Sequence, residues 1–241
     1  MEILAVVPAR GGSKGLVKKN IMPLAGHPLI AYSIQAAHDA KLVTRSIVNT
    51  DADYIIEQAL RYKAEIPFVR PSQLANDSST DLEVFYHMLN WMKENEGYSP
   101  DFVVQLRPTS PVRPKGIVDL CIKKAIDSNA DSVRVVTQSP ITPYKMWRVN
   151  EGHKSMTPLL ELPGVDEPYN QLRQSLPEIF WQIGCLDVIR ASVITEQRSM
   201  SGKKIVPYII PSQFAVDIDD IESFNKAEKT LLQEDCIRIP S

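Results

Sequence analysis

The residues most suited to chemistry sit near the start of the chain. The segment Pro8–Asn20, PARGGSKGLVKKN, sets Arg10, Lys14 and Lys19 around Gly11, Gly12 and Gly15. Glycines let a backbone approach a ligand closely and turn its N–H groups inward, and three cations can neutralise a polyphosphate. The spacing is neither the P-loop pattern G-x-x-x-x-G-K-[ST] nor the dinucleotide pattern G-x-G-x-x-G. Taken alone, the same residues also describe a solvated basic turn.

Two further features carry chemistry. Asp217 and Asp219 lie two apart in an extended segment, so both carboxylates can face one side and share magnesium with phosphate oxygens. On its own, the cluster Asp217, Asp219, Asp220 and Glu222 also reads as the N-terminus of a helix, with Asp220 as the cap once the other two bind metal. Arg70, at the end of an expected strand and just before Pro71, should emerge at a ligand-bearing edge, with a surface salt bridge as the plainer alternative.

The elements that must position these residues follow an alternating pattern. Ile3–Val7 is a continuous apolar run that suits a strand buried on both faces. Helical periodicity from Leu29 to Ala37 precedes a strand at Ser46–Thr50, a helix over about 52–62, a short strand at Ile66–Val69 and a helix over 81–95. A strand at Phe102–Leu106 and a helix near Lys115–Ser128 continue the series. From Gln138 to Pro177 frequent prolines exclude long helices and central strands, which predicts an excursion of short pieces. Alternation returns at Gly184–Ile189, Ile205–Ile210 and a last helix over about 220–233. The fold class is therefore α/β, a mostly parallel Rossmann-like sheet covered by helices, with ligands at the strands' carboxyl ends. Its core spans 1–137 and 178–241, and the excursion spans 138–177.

The glycine loop, with Asn49-Thr50-Asp51, Phe68-Val69-Arg70-Pro71, Leu74-Ala75-Asn76-Asp77, Arg107-Pro108-Thr109-Ser110-Pro111-Val112-Arg113, Arg173-Gln174-Ser175-Leu176-Pro177 and Val216-Asp217-Ile218-Asp219, resembles the CMP-sialic acid synthetases over nearly the whole chain. The resemblance implies a nucleotide-diphospho-sugar transferase type of fold and CMP transfer from CTP, with magnesium, to an acidic nonulosonate. It implies that Arg10, Gly11, Gly12, Ser13, Lys14 and Lys19 hold the triphosphate, that Asn20 and Arg70 help hold the nucleotide, and that Asp217 and Asp219 hold the metal. Arg10, Lys14 and Asp217 carry the catalytic expectation. The excursion corresponds to a homodimerisation arm whose Lys145 and Arg173 face the sugar, where a cation has a carboxylate to bind.

Arg107 stands where many relatives have glutamine, and Ile183-Gly184-Cys185-Leu186-Asp187, preceded by Trp181 and Gln182, replaces N-G-x-x-Y. Arg107, Gln182 and Asp187 thus mark an altered acceptor pocket, with Arg107 either binding an anion or pairing with Asp187 or another acid. An eight-carbon ulosonate, a sugar phosphate or a phosphonate stays open as acceptor, as does a nucleotide-binding protein without turnover. His27, His38, His87 and His153 fall outside the motifs, so no histidine base emerges. With 27 basic and 29 acidic residues in 241, no broad positive surface for nucleic acid is expected. No apolar run reaches the ~20 residues of a membrane span and no signal peptide is evident, which predicts a cytoplasmic protein. Cys121, Cys185 and Cys236 lack zinc-site spacing and read as reduced thiols.

Overall fold

The computed structural model describes residues 1–12 and 15–240; the expectations for Ser13 and Lys14 lie outside the described residues. The elements run β1 (Ile3–Pro8), β2 (Pro23–Leu24), β3 (His27–Pro28), α1 (Leu29–Asp39), β4 (Arg45–Asn49), α2 (Asp53–Arg61), α3 (Asp81–Glu96), β5 (Phe102–Gln105), α4 (Ile117–Asp127) and β6 (Ser132–Gln138). They continue with β7 (Trp147–Val149), β8 (Met156–Pro158), β9 (Phe180–Arg190), α5 (Ala191–Thr195), β10 (Ile205–Ile209) and α6 (Ile221–Gln233).

The main sheet has the order β10-β6-β9-β5-β1-β4. β1 is parallel to β4 and β5, and β10 is parallel to β6, whereas β9 runs antiparallel between β5 and β6. Alternate residues of β1 enter opposite layers. Ile3, Ala5 and Val7 pack with α1, α2, α4 and α6, while Leu4 and Val6 pack with α3 and α5. Burial on both faces explains why the strand reads as unbroken apolar sequence.

The expected strand at Ile66–Val69 is absent: only Glu65 bridges to Ile47, because Pro67 carries no N–H to extend the ladder. Conversely, β6 goes unrecognised in the sequence, since Arg134 interrupts its apolar run. The 138–177 stretch consists of short 3-10 turns and the β7–β8 ladder. Its base is closed where Gln138 pairs with Phe180. Two helices start on full capping boxes, Thr80 with Glu83 for α3 and Asp220 with Ser223 for α6, so Asp220 does serve as a cap.

Candidate active site

The carboxyl ends of β1, β4 and β5 open on one cleft of about 540 Å³, a size suited to a small-molecule ligand. The loop after β1 borders it with Arg10, Gly12, Gly15, Lys19 and Asn20. Arg70, Asn76, Asp77 and Asp81 form another wall, and Arg107, Thr109 and Asp219 complete the rim.

Local bonds explain how the glycine loop holds its course. Gly11 N–H donates to Asp51 Oδ1 at 2.8 Å, and Tyr54 O–H donates to Gly11 O at 2.6 Å. Buried Asn20 closes the loop from within by donating to Arg10 O at 3.0 Å. Arg10 crosses the cleft mouth to Asn76 O and Asp77 Oδ1, both at 2.9 Å. Lys19 donates to Ile218 O at 2.6 Å and stands 3.6 Å from Asp219 Oδ1. At Gly15 the loop comes so close to the 217–219 segment that a Cβ would lie 2.4 Å from Asp219 O. Glycine is therefore required by close approach.

Arg70 is 6% exposed, not a surface residue. It donates from Nε to Asn49 Oδ1 at 2.5 Å and from Nη2 to Asn49 O at 2.6 Å, at the end of β4. Burial lowers its pKa, although Asp51 and Asp81 act in the opposite sense. Beyond β10, Val216 and Ile218 are buried while Asp217 and Asp219 are exposed, so the two carboxylates share the outer side of an extended segment. Asp217 Oδ1 accepts from Ser110 Oγ at 3.2 Å.

Arg107 lies in a chain of charges. Its Nη1 donates to Asp187 Oδ2 at 2.8 Å and its Nη2 to Asp81 Oδ2 at 2.9 Å. Burial opposes the guanidinium's charge, but Asp187 and Asp81 outweigh it and raise the pKa. Burial likewise pushes Asp81 upward, yet Arg107 and the amide of Gln105 bring it below the usual carboxylate range. Asp187, expected beside the sugar, is not among the residues that line the cleft. Asp187 is fully buried and lies behind Arg107, because β9 enters the sheet antiparallel and sets it opposite both Gln105 and Arg134. Gln182 is exposed and its Nε2 stands 3.3 Å from Asp187 Oδ1.

Lys145 and Arg173 do not line this cleft. Lys145 ends a 3-10 turn, and Arg173 Nη2 donates to Ser139 O at 2.8 Å beside a separate hollow of about 340 Å³. Arg10, Gly12, Lys19, Asn20, Arg70, Arg107 and Asp219 are the expected site residues that the fold brings together. Sequence reasoning missed Asp81, Arg134 and the role of Arg113. Arg113 is fully buried, donating from Nε to Cys185 O at 2.8 Å and from Nη2 to Arg107 O at 2.7 Å. The signal for Arg134 was a cation inside a β-branched run, which demands a buried acid as partner.

A sequence model of the Cytidylyltransferase family matches residues 4–145, more than half of the chain. The chain belongs to the cytidylyltransferase family. A CMP-N,N'-diacetyllegionaminic acid synthase of Legionella pneumophila is 36% identical over 96% of this cytidylyltransferase and 97% of its own length. A pseudaminic acid cytidylyltransferase of Campylobacter jejuni is 27% identical, over 95% of each chain. In fold, a CMP-2-keto-3-deoxy-manno-octonic acid synthetase solved with CTP superposes with a TM-score of 0.69 at 15% identity, covering 97% of this chain and 99% of its own. The expected α/β fold with a mainly parallel sheet agrees with this likeness.

Proposed function

We propose that this chain transfers CMP from CTP to the anomeric hydroxyl of an acidic nonulosonate, releasing pyrophosphate. The observation that carries this reading is the convergence of Arg10, Lys19, Arg70, Arg107 and Asp219 on one cleft at the carboxyl ends of parallel strands. The anomeric oxygen attacks the α-phosphorus in line, an O–P bond forms as the hydroxyl proton passes to water, the bond to the β-phosphate oxygen breaks, and pyrophosphate leaves with the electron pair. Arg10 and Lys19, with Lys14, neutralise the triphosphate. Arg70 anchors the nucleotide side, and Arg107 faces the acid.

Magnesium belongs to this proposal. Among the described residues no cluster of three or more metal-binding side chains occurs. Two exposed aspartates are nevertheless a suitable donor set, because magnesium keeps water and is typically held by one or two carboxylates plus substrate phosphates. Asp217 and Asp219 would hold it. When bound, the ion would offset negative charge on the phosphates.

A homodimer is also proposed. Ile141, Val149, Met156 and Leu172 expose large apolar side chains along the 138–177 excursion, a concentration that suits coverage by a second copy. Lys145 and Arg173 would then serve an acceptor from that arm. No described helix is long and apolar enough to cross a membrane, and three free thiols suit the reducing cytoplasm, where we place the reaction.

The test is pyrophosphate release with magnesium, each of four nucleoside triphosphates, and a panel of legionaminic, pseudaminic, N-acetylneuraminic and eight-carbon ulosonic acids. Release that requires CTP and a nine-carbon acid supports the reading, with the legionaminic acid tried first because of the 36% identical relative. Turnover only with an eight-carbon acid, or none with any acid, overturns it.

A further inference from the structure

The charges behind Arg107 form a relay that the transfer reaction does not by itself require. β9 lies antiparallel between β5 and β6, so Asp187 faces Gln105 on one side and Arg134 on the other. Arg134 Nη1 is 2.6 Å from Asp187 Oδ2, and its Nη2 donates to Met200 O and Ser201 Oγ, which fixes its position from outside the cleft. Asp187 in turn takes Nη1 of Arg107. The other edge of Arg107 meets Asp81, which Gln105 Nε2 also holds at 2.9 Å.

The two acids bound to Arg107 differ in one decisive respect. The Asp187 side chain is 0% exposed, whereas that of Asp81 is 46% exposed and borders the cleft. An incoming anion cannot reach Asp187 but can replace Asp81. Asp81, already about half exposed, would then turn to water, and Arg107 would exchange one carboxylate for another with no buried charge left unpaired. A guanidinium fixed along one edge by a buried acid, with its other edge held by an exposed and replaceable one, is preorganised for such an exchange.

We propose that Asp187, backed by Arg134, positions Arg107 for the acceptor's acidic group, and that Asp81 is an internal stand-in which the acceptor displaces. This rests on the proposed function, in that Arg107 must face the acceptor. Asp187 and Arg134 are positioning residues, while Asp81 tunes affinity. The arrangement makes acceptor binding a competition with a tethered carboxylate, which lowers apparent affinity by the fraction of time Arg107 is taken.

Steady-state kinetics of Asp187→Asn, Arg107→Ala, their double variant and Asp81→Asn test this. Asp187→Asn is expected to raise the acceptor KM about tenfold or more while the CTP KM stays within about twofold. The double variant should be no worse than Arg107→Ala alone, because Asp187 acts through that side chain. Asp81→Asn should lower the acceptor KM about threefold or more with the CTP KM unchanged. Additive effects of Asp187→Asn and Arg107→Ala, equal rises in both KM values, or an Asp81→Asn acceptor KM that holds or rises would overturn the proposal. If Asp187→Asn fails to fold, Asp81→Asn on the cleft rim decides alone. Should the wild type use no acid of the panel, the function reading fails and this inference with it. Turnover by the wild type with additive variants refutes the inference only.

Discussion

Gly15→Ala tests the closest approach in the cleft. A Cβ at this position would sit 2.4 Å from Asp219 O and 3.6 Å from its carbonyl carbon. Relieving the overlap requires the loop and the 217–219 segment to separate by about 1 Å. Overpacking of this kind costs about 1–3 kcal/mol, and since Gly15 and Asp219 are exposed and the loop can give way, the cost falls near the lower end. A loss of about 1 kcal/mol corresponds to a Tm lower by about 2–4 °C in a chain of this size. Turnover should suffer far more. The cations of the glycine loop and Asp219 would no longer be set for the same ligand, and a displacement of about 1 Å can cost about 100-fold in rate. Pyrophosphate release at saturating CTP and acceptor, with thermal unfolding in parallel, measures both. Gly12→Ala is the steric control for unfolding, since a Cβ there meets nothing within 4 Å, and its Tm should stay within about 1 °C. A Gly15→Ala enzyme with kcat within about twofold of wild type would refute the idea that this contact sets the site.

Three other outcomes are expected. Arg113→Met should destabilise the protein by about 2–5 kcal/mol in denaturant unfolding, because the carbonyls of Cys185 and Arg107 lose their donor in a fully buried setting; a change below about 1 kcal/mol would refute this. Cys121, Cys185 and Cys236 are all buried, and burial raises the Cys185 thiol to about 12, so native protein should not react with a thiol reagent at pH 8 while unfolded protein titrates all three; fast labelling of native protein would contradict the packing. Asp81 has a folded pKa below its ordinary value, so its contribution to stability is complete above about pH 4 and is lost as pH falls through the folded pKa. Asp81→Asn should therefore flatten the stability profile in that acid range, and an unchanged acid slope would show that the Arg107 pair contributes nothing there.

The part of the cleft built from the loop after β1 was legible because its signals are local. A glycine loop directly after an apolar strand and two aspartates in i, i+2 alternation each declare their geometry within a few residues, whereas Arg70 reaches the cleft without the strand expected before it. The same holds for the helix starts, where Thr80 and Asp220 stand three residues before their capping-box partners. At Ile66–Val69 the apolar side chains suggest a strand, but Pro67 has no N–H with which to extend the ladder. In β6, Arg134 concealed a central strand.

By itself the sequence determined the α/β alternation and the family, since periodicity and short-range chemistry are written along the chain. The tertiary structure alone decided the direction of β9 and hence that Asp187 faces Arg134 and Gln105 from a buried strand. It alone joined Arg107 to Asp81, 26 positions away, and it decided for the pairing of Arg107 with Asp187, 80 positions away, which the sequence leaves as one of two alternatives. Strand order and long-range charge pairing depend on which distant segments can bury their polar groups together, and no local pattern encodes that choice.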